Sequence, residues 1–136
     1  MAKLKLDIVT PECLAYSEDV DGVVVPGIEG ELGILPMHVP LMTRILPGEL
    51  RVLRDGQEIL LAVGEGFLEV TQERVAVLTD MAIKETDIDE NAVMAAIKRA
   101  EESMRGEHLG AEELAIVQAS LQKSLAQLKV KRRRQH

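Results

Sequence analysis

Lys84-Glu-Thr-Asp-Ile-Asp-Glu-Asn-Ala-Val-Met-Ala-Ala-Ile97 is the stretch where the grammar of this chain changes. Before it, apolar residues recur at every second position, the period of a half-buried strand. Lys3-Leu-Lys-Leu-Asp-Ile-Val9 and Glu73-Arg-Val-Ala-Val-Leu-Thr79 both read this way. After it, Val93, Met94, Ile97, Ala100 and Met104 recur every three or four positions, one face of a helix. In between, Thr86-Asp-Ile-Asp-Glu90 offers a capping side chain and early acidic residues, which suit the positive end of a helix. The 136 residues therefore divide into a β part, 1–86, and a helical part, 87–136.

Upstream of the boundary, further strands are expected over 12–16, 20–26, 30–35, 41–46, 48–54, 58–63, 66–71 and 73–79. Pro11, Pro26-Gly27, Pro36, Pro40, Pro47-Gly48, Asp55-Gly56 and Gly64 punctuate them. All five prolines and eight of the ten glycines fall here, so breakers concentrate where short strands must turn. Asp55-Gly56 between two apolar runs is a tight-hairpin signal. Many short strands closely punctuated suggest a β-sandwich or a flattened barrel, and an antiparallel sandwich is the expectation.

Downstream, two helices are expected over 88–105 and 111–130, with Gly106 and Gly110 bracketing the break. The second carries Leu114, Val117, Leu121, Leu125 and Leu128 along one face. Small residues (Ala92, Ala95, Ala96, Ala115, Ala119, Ala126) allow close axes, so an antiparallel α-helical hairpin is the simplest arrangement.

Composition narrows the function classes. Only Tyr16 and Phe67 are aromatic, which argues against stacking platforms for single-stranded nucleic acid and against aromatic-lined clefts. The one cysteine, Cys13, excludes an intrachain disulfide and a cysteine-rich zinc site. His38, His108 and His136 lie far apart, so no metal site is expected. No apolar segment follows the N-terminal lysines, so no signal peptide is expected. The longest strongly apolar run, Ile59 to Val63, is too short to span a bilayer.

Individual motifs carry little chemistry on their own. Gly27-Ile-Glu-Gly-Glu-Leu-Gly33 has the glycine density of a phosphate loop, but it lacks the Lys-Ser/Thr of one and reads as a turn and strand. Glu29 and Glu31, two apart, would share a face in an extended segment, and an exposed acidic loop is the expected role. His38 sits between Pro36 and Pro40 and reads as a packing or interface residue. No nucleophile–base constellation emerges. Residues 1–86 hold 7 basic and 15 acidic side chains, whereas residues 123–136 hold 6 basic and no acidic ones. That basic end (Lys123, Lys129, Lys131, Arg132, Arg133 and Arg134) could meet an acidic protein surface, acidic lipid or nucleic acid, or be a solvated terminus. On the residues alone this is a two-part, non-enzymatic interaction protein, a free-standing adaptor being one form of it.

One run is more specific. Val25-Pro-Gly-Ile-Glu-Gly-Glu-Leu-Gly-Ile-Leu-Pro-Met-His-Val-Pro-Leu-Met-Thr43 resembles the signature segment of the epsilon subunits of rotary, F-type ATP synthases. Gly64-Glu-Gly-Phe-Leu-Glu-Val70 and Val75-Ala-Val-Leu-Thr-Asp-Met-Ala82 are similar to the next family segments, and the resemblance covers essentially the whole chain.

The resemblance implies a non-catalytic rotor subunit of the central stalk, peripheral on the cytoplasmic face of the inner membrane, with no cofactor. Its sandwich would grip the gamma subunit through His38, Pro40 and Thr43. It would meet the ring of membrane c subunits through the loop Glu29, Gly30, Glu31 and Leu32. Its hairpin would either lie on the sandwich or extend into the catalytic head and block ATP hydrolysis. In the extended state the basic residues from Lys123 to Arg134 would face the beta subunits, with the alpha subunits alongside.

Two positions depart from the family pattern. Met37 stands where the family usually has glycine, so a positive φ or a close approach there would be affected. Some members bind ATP on the hairpin through Ile-Asp-x-x-Arg-Ala. Here Ile88-Asp89-Glu90-Asn91 is followed by Ala92, which removes a phosphate partner and leaves Asp89 and Arg99. Weak or absent nucleotide binding is the expectation.

Overall fold

A computed structural model describes residues 2–106 and 108–133. Ten strands come first: β1 (Leu4–Val9), β2 (Leu14–Val20), β3 (Gly22–Gly27), β4 (Gly30–Ile34), β5 (Leu41–Ile45), β6 (Gly48–Arg54), β7 (Gln57–Val63), β8 (Gly66–Val70), β9 (Arg74–Thr79) and β10 (Ala82–Lys84). A 3-10 turn (Glu85–Asp87) leads into α1 (Glu90–Gly106) and α2 (Ala111–Arg133).

The strands form one hydrogen-bonded ladder, β10-β7-β6-β3-β5-β8-β9-β1-β2, with β4 on the other edge of β3. It folds over at β3, whose start pairs with β6 and whose end, Gly27, pairs with Ile45 of β5. The two resulting layers face each other across one core. Leu4, Leu6 and Ile8, then Val23 and Val25, Leu50 and Val52, Leu61 and Val63, and Val75 and Val77 all enter that core, two residues apart along their strands. The period-2 pattern thus places one side of every long strand inside, and a sandwich is the result.

The hairpin between β6 and β7 turns on Asp55 and Gly56, with φ of 52° and 78°. Arg54 and Gln57 pair directly across it, so this is the two-residue turn that asparagine or aspartate followed by glycine favours.

Three features differ from the sequence expectation. β1 and β9 run parallel, Leu6 opposite Val75 and Ile8 opposite Val77. They are distant in the chain, so no short turn imposes opposite directions. β2 continues through Glu18 and Asp19 to Val20, because pairing of Lys5 with Asp19 and of Leu6 with Glu18 overrides weak strand propensity. β10 adds an edge strand to β7 just before the helices.

The hairpin lies on the outside of the sandwich, with α2 packed on β6 and β7. Leu60 and Ala62 on the outer face of β7 form a second core with Ile88, Val93 and Val130, bordered by Met81, Ile83, Ile97 and Leu128. The side chains of α2 that go deepest are Ser124, Ala126 and Val130. Leu125, expected on the apolar face, is 40% exposed. Small side chains let the helix axis approach the sheet, while Leu114, Val117, Leu121 and Leu128 are half-buried along the hairpin.

Gly66 shows how tightly β8 and β9 meet. A Cβ there would collide with the Leu78 carbonyl, whereas one at Gly33 would meet nothing. Gly66→Ala is expected to cost about 1–3 kcal/mol of unfolding free energy. Gly33→Ala should stay within about 0.5 kcal/mol of the parent. Urea denaturation followed by circular dichroism distinguishes the two.

Candidate functional site: three interaction surfaces

The turn between β3 and β4 presents Ile28, Glu29 and Gly30 to solvent. Gly30 has φ 120°, a conformation open to glycine. Because Glu29 lies in the turn and Glu31 on β4, strand alternation does not relate the two acids. The Glu31 carboxylate accepts a hydrogen bond from Arg51 on β6 at 3.0 Å, and Leu32 packs on the sandwich core. The exposed part of this loop is therefore Ile28 through Glu31.

The second surface is the loop from Leu35 to Pro40 with the outer face of β5, β8 and β9. Pro36 and Met37 occupy the two central positions of a turn closed by the His38 N–H donating to the Leu35 carbonyl at 3.2 Å. Met37 has φ 70°, the arrangement of a type II turn, for which glycine is the usual third residue. The position that departs from the family pattern is thus one where glycine has a physical purpose. The Met37 N–H also donates to the Gln72 carbonyl at 3.0 Å, tying the loop to the β8–β9 connection.

Leu35, Met37, Val39 and Met42 are 62%, 65%, 70% and 68% exposed, four large apolar side chains within eight residues. Phe67 and Leu78, paired across β8 and β9, extend the exposed apolar surface. His38 is half-buried and Pro40 exposed, so both lie on this surface. Thr43 is half-buried opposite Leu68, and its neighbours Met42 and Arg44 are the ones that project outward. The family resemblance points to His38, Pro40 and Thr43 and not to the apolar set. Leu35, Met37 and Val39 alternating through a proline-punctuated loop was the available signal. Farther along the sheet Asp7 is buried. The Ser17 hydroxyl donates to its carboxylate at 2.6 Å and Arg74 pairs with it; the Ser17 bond first, then the Arg74 charge, holds its pKa below the ordinary carboxylate range against the effect of burial.

The third surface is the basic end of α2, and it faces the protein's own acids. Lys123 lies 3.7 Å from Asp80 in the β9–β10 turn, and Lys131 3.7 Å from Glu85 in the 3-10 turn. Arg133 pairs with Glu49 on β6 and lies 3.8 Å from Glu58 on β7. Arg132 bonds Glu90 at 3.1 Å and so joins α2 to α1 rather than to the sandwich. Lys129 is exposed, and Arg134 lies outside the described residues. Glu49 is 4% exposed; its Oε1 accepts from both Arg51 and Arg133, while Oε2 is buried without a hydrogen-bond partner among the described residues.

Asp89 and Arg99 do not converge. The Asp89 carboxylate accepts from the Ala92 N–H at 3.2 Å and caps α1. Arg99 lies ten residues on, about 15 Å along the helix axis, in a shallow groove with Ser103, Ile116 and Val117. Among the described residues no group of three or more His, Cys, Asp or Glu side chains could hold a metal ion, and no helix is long and apolar enough to cross a membrane.

These surfaces define a class: a β-sandwich with an exposed apolar face, carrying a helical hairpin held on partly by charge. Family comparison gives the class its identity. The ATP synthase delta/epsilon chain β-sandwich domain matches residues 3–85, and the delta/epsilon chain long alpha-helix domain matches residues 86–132. An ATP synthase epsilon chain from Dehalococcoides mccartyi is 49% identical over 137 aligned positions, covering 100% of this chain and 98% of the relative. One from Halorhodospira halophila is 41% identical, covering 95% and 92%. Among solved structures, a chain of the Euglena gracilis mitochondrial ATP synthase OSCP/F1/c-ring superposes with TM-score 0.79 at 19% identity, over 100% of this chain and 83% of that one. A chain of the Tetrahymena thermophila mitochondrial ATP synthase central stalk and c-ring gives TM-score 0.62 at 15% identity, over 95% and 96%. The chain belongs to the ATP synthase delta/epsilon family: it is an epsilon-type subunit of ATP synthase, not a catalytic one.

Met37 supplies a test of the loop. Met37→Gly should raise unfolding free energy by about 1 kcal/mol, since it relieves an L residue held at positive φ. Chemical denaturation of both forms reads this directly.

Proposed function

We propose that the chain is a central-stalk rotor subunit of a proton-translocating ATP synthase, peripheral on the cytoplasmic face of the inner membrane, coupling the membrane ring to the catalytic head. The observation that carries this reading, beside the family itself, is the exposed apolar set Leu35, Met37, Val39 and Met42. Apolar side chains so concentrated on a soluble surface are a protein-contact signature. With His38 and Pro40 they form the surface for the gamma subunit, while Thr43, on the inner side of β5 opposite Leu68, supports it from behind. The exposed residues Glu29, Gly30 and Glu31 of the β3–β4 turn meet the polar loops of the c ring, and Leu32 anchors the turn on the sandwich core.

The hairpin supplies regulation. Docked, its cations are occupied by Asp80, Glu85, Glu49 and Glu58. Extended along gamma, the same cations are free to meet acidic segments of the beta subunits beside alpha, and hydrolysis of ATP is blocked. The two arrangements compete for one set of charges and one apolar stripe, so their free energies need differ by only a few kcal/mol. ATP binds the hairpin weakly or not at all, because Ala92 replaces the arginine and Asp89 already caps a helix.

Binding to gamma tests the reading. Val39→Asp with Met42→Asp, both on exposed side chains, should weaken gamma binding at least tenfold while leaving the circular dichroism spectrum unchanged. The fragment 1–86 should bind gamma as the full chain does, and should no longer inhibit hydrolysis by a reconstituted head. Undiminished binding by the double variant, or loss of binding in the fragment, overturns the assignment of the gamma surface.

A further inference from the structure

Arg51 occupies a place the family reading does not use. It stands on β6 between the β3–β4 turn and the end of α2, and its side chain is only 20% exposed. One nitrogen, Nη1, donates to Glu31 at 3.0 Å and to Glu49 at 3.1 Å, while Nε lies 3.9 Å from Glu58. Glu49 and Glu58 are also the two acids that face Arg133. Four elements, β4, β6, β7 and α2, are therefore joined through a single run of charges: Glu31, Arg51, Glu49 with Glu58, Arg133.

The signs in that run are definite. Arg133 is attracted by Glu49 and Glu58 and repelled by Arg51. Glu31 draws Arg51 toward the turn and leaves more of the negative charge of Glu49 and Glu58 for Arg133. If Glu31 is neutralised, or taken by another group, Arg51 satisfies Glu49 and Glu58 more fully. The hold on Arg133 then weakens. Glu31 is 59% exposed and open to such a group, whereas Glu49 is buried and is not.

We propose that Arg51 makes the β3–β4 turn and the end of α2 one electrostatic unit, so that a basic or hydrogen-bond-donating partner side chain engaging Glu31 favours release of the hairpin from the sandwich. The idea deepens the reading of this turn as a contact surface, and the partner class follows from the carboxylate it must engage. The other sandwich–hairpin pairs, Lys123 with Asp80 and Lys131 with Glu85, lie outside this run of charges and set the background docking strength.

The test uses the isolated full chain, with no gamma, ring or catalytic head, so its outcome is independent of whether the gamma surface is assigned correctly. Ser124, on the sheet-facing side of α2, is 8% exposed. Ser124→Cys, in a Cys13→Ser background, gives a thiol whose labelling rate reports hairpin opening. Glu31→Gln should raise that rate about two- to fourfold, the size of a partly exposed charge coupling. The same substitution made together with Arg133→Ala should change the rate by less than about 1.3-fold, because the terminal cation is gone. Glu29→Gln, in the same turn but with no bond to Arg51, should leave it unchanged. Substitutions at these exposed positions leave the core intact. No effect of Glu31→Gln, an equal effect with Arg133→Ala present, or an equal effect of Glu29→Gln would overturn the proposal.

Discussion

β7 has to bury both of its faces, and much of the architecture answers to that need. Ile59-Leu60-Leu61-Ala62-Val63 is apolar without interruption. A strand of a two-layer sandwich normally shows one side to water. Here Leu61 and Val63 enter the sandwich core, while Leu60 and Ala62 lie under α2 with Ile88, Val93 and Val130. Fully burying a large aliphatic side chain is worth about 1.5–3 kcal/mol, so the second core can hold two helices that would be marginal alone. It is also small enough that another apolar surface of similar size could replace it.

Charge arranges what apolar burial holds. The exposed pairs between α2 and the sandwich are individually weak, up to about 1 kcal/mol each, and salt screens them over roughly 8–10 Å. Arg133 with Glu49 differs, because Glu49 is buried and an unpartnered buried carboxylate is costly. Arg51, which also donates to Glu49, would keep that cost tolerable in an undocked state. A docked state built this way has a defined register, set by Lys123, Lys131 and Arg133, and a modest depth. Such a balance suits the proposed exchange of the hairpin between the sandwich and another protein.

What was legible in the sequence is what depends on local chain chemistry. The turn at Asp55-Gly56, the alternating cores of β1, β6 and β9, and the change of period after Thr86 all follow from neighbours in the chain, and all appear. What was not legible depends on contacts between distant segments. The parallel register of β1 on β9, the edge strand β10 and the choice of Ser124 and Ala126 over Leu125 for the sheet-facing side are of this kind. So are the partners of the basic end. Its charge is plain in the sequence, but nothing local indicates that Asp80, Glu85 and Glu49 await it. Met37 lies between the two: its departure from the family glycine is visible, and its φ of 70° gives the reason it matters.

The proposed function needs a hairpin that can separate from the second face of β7 while the sandwich stays folded. Ala126 is 6% exposed at that contact, so a glutamate there would push a longer, charged side chain into the interface between α2 and the sheet. Spin labels at Gln57 and Gln122, with Cys13→Ser, report the distance between sandwich and hairpin by pulsed electron paramagnetic resonance. Ala126→Glu should turn a single short distance into a broad, longer distribution, while the amides of β1 through β9 keep their protection from hydrogen exchange. An unchanged distance, or loss of strand protection together with the hairpin, would contradict the account.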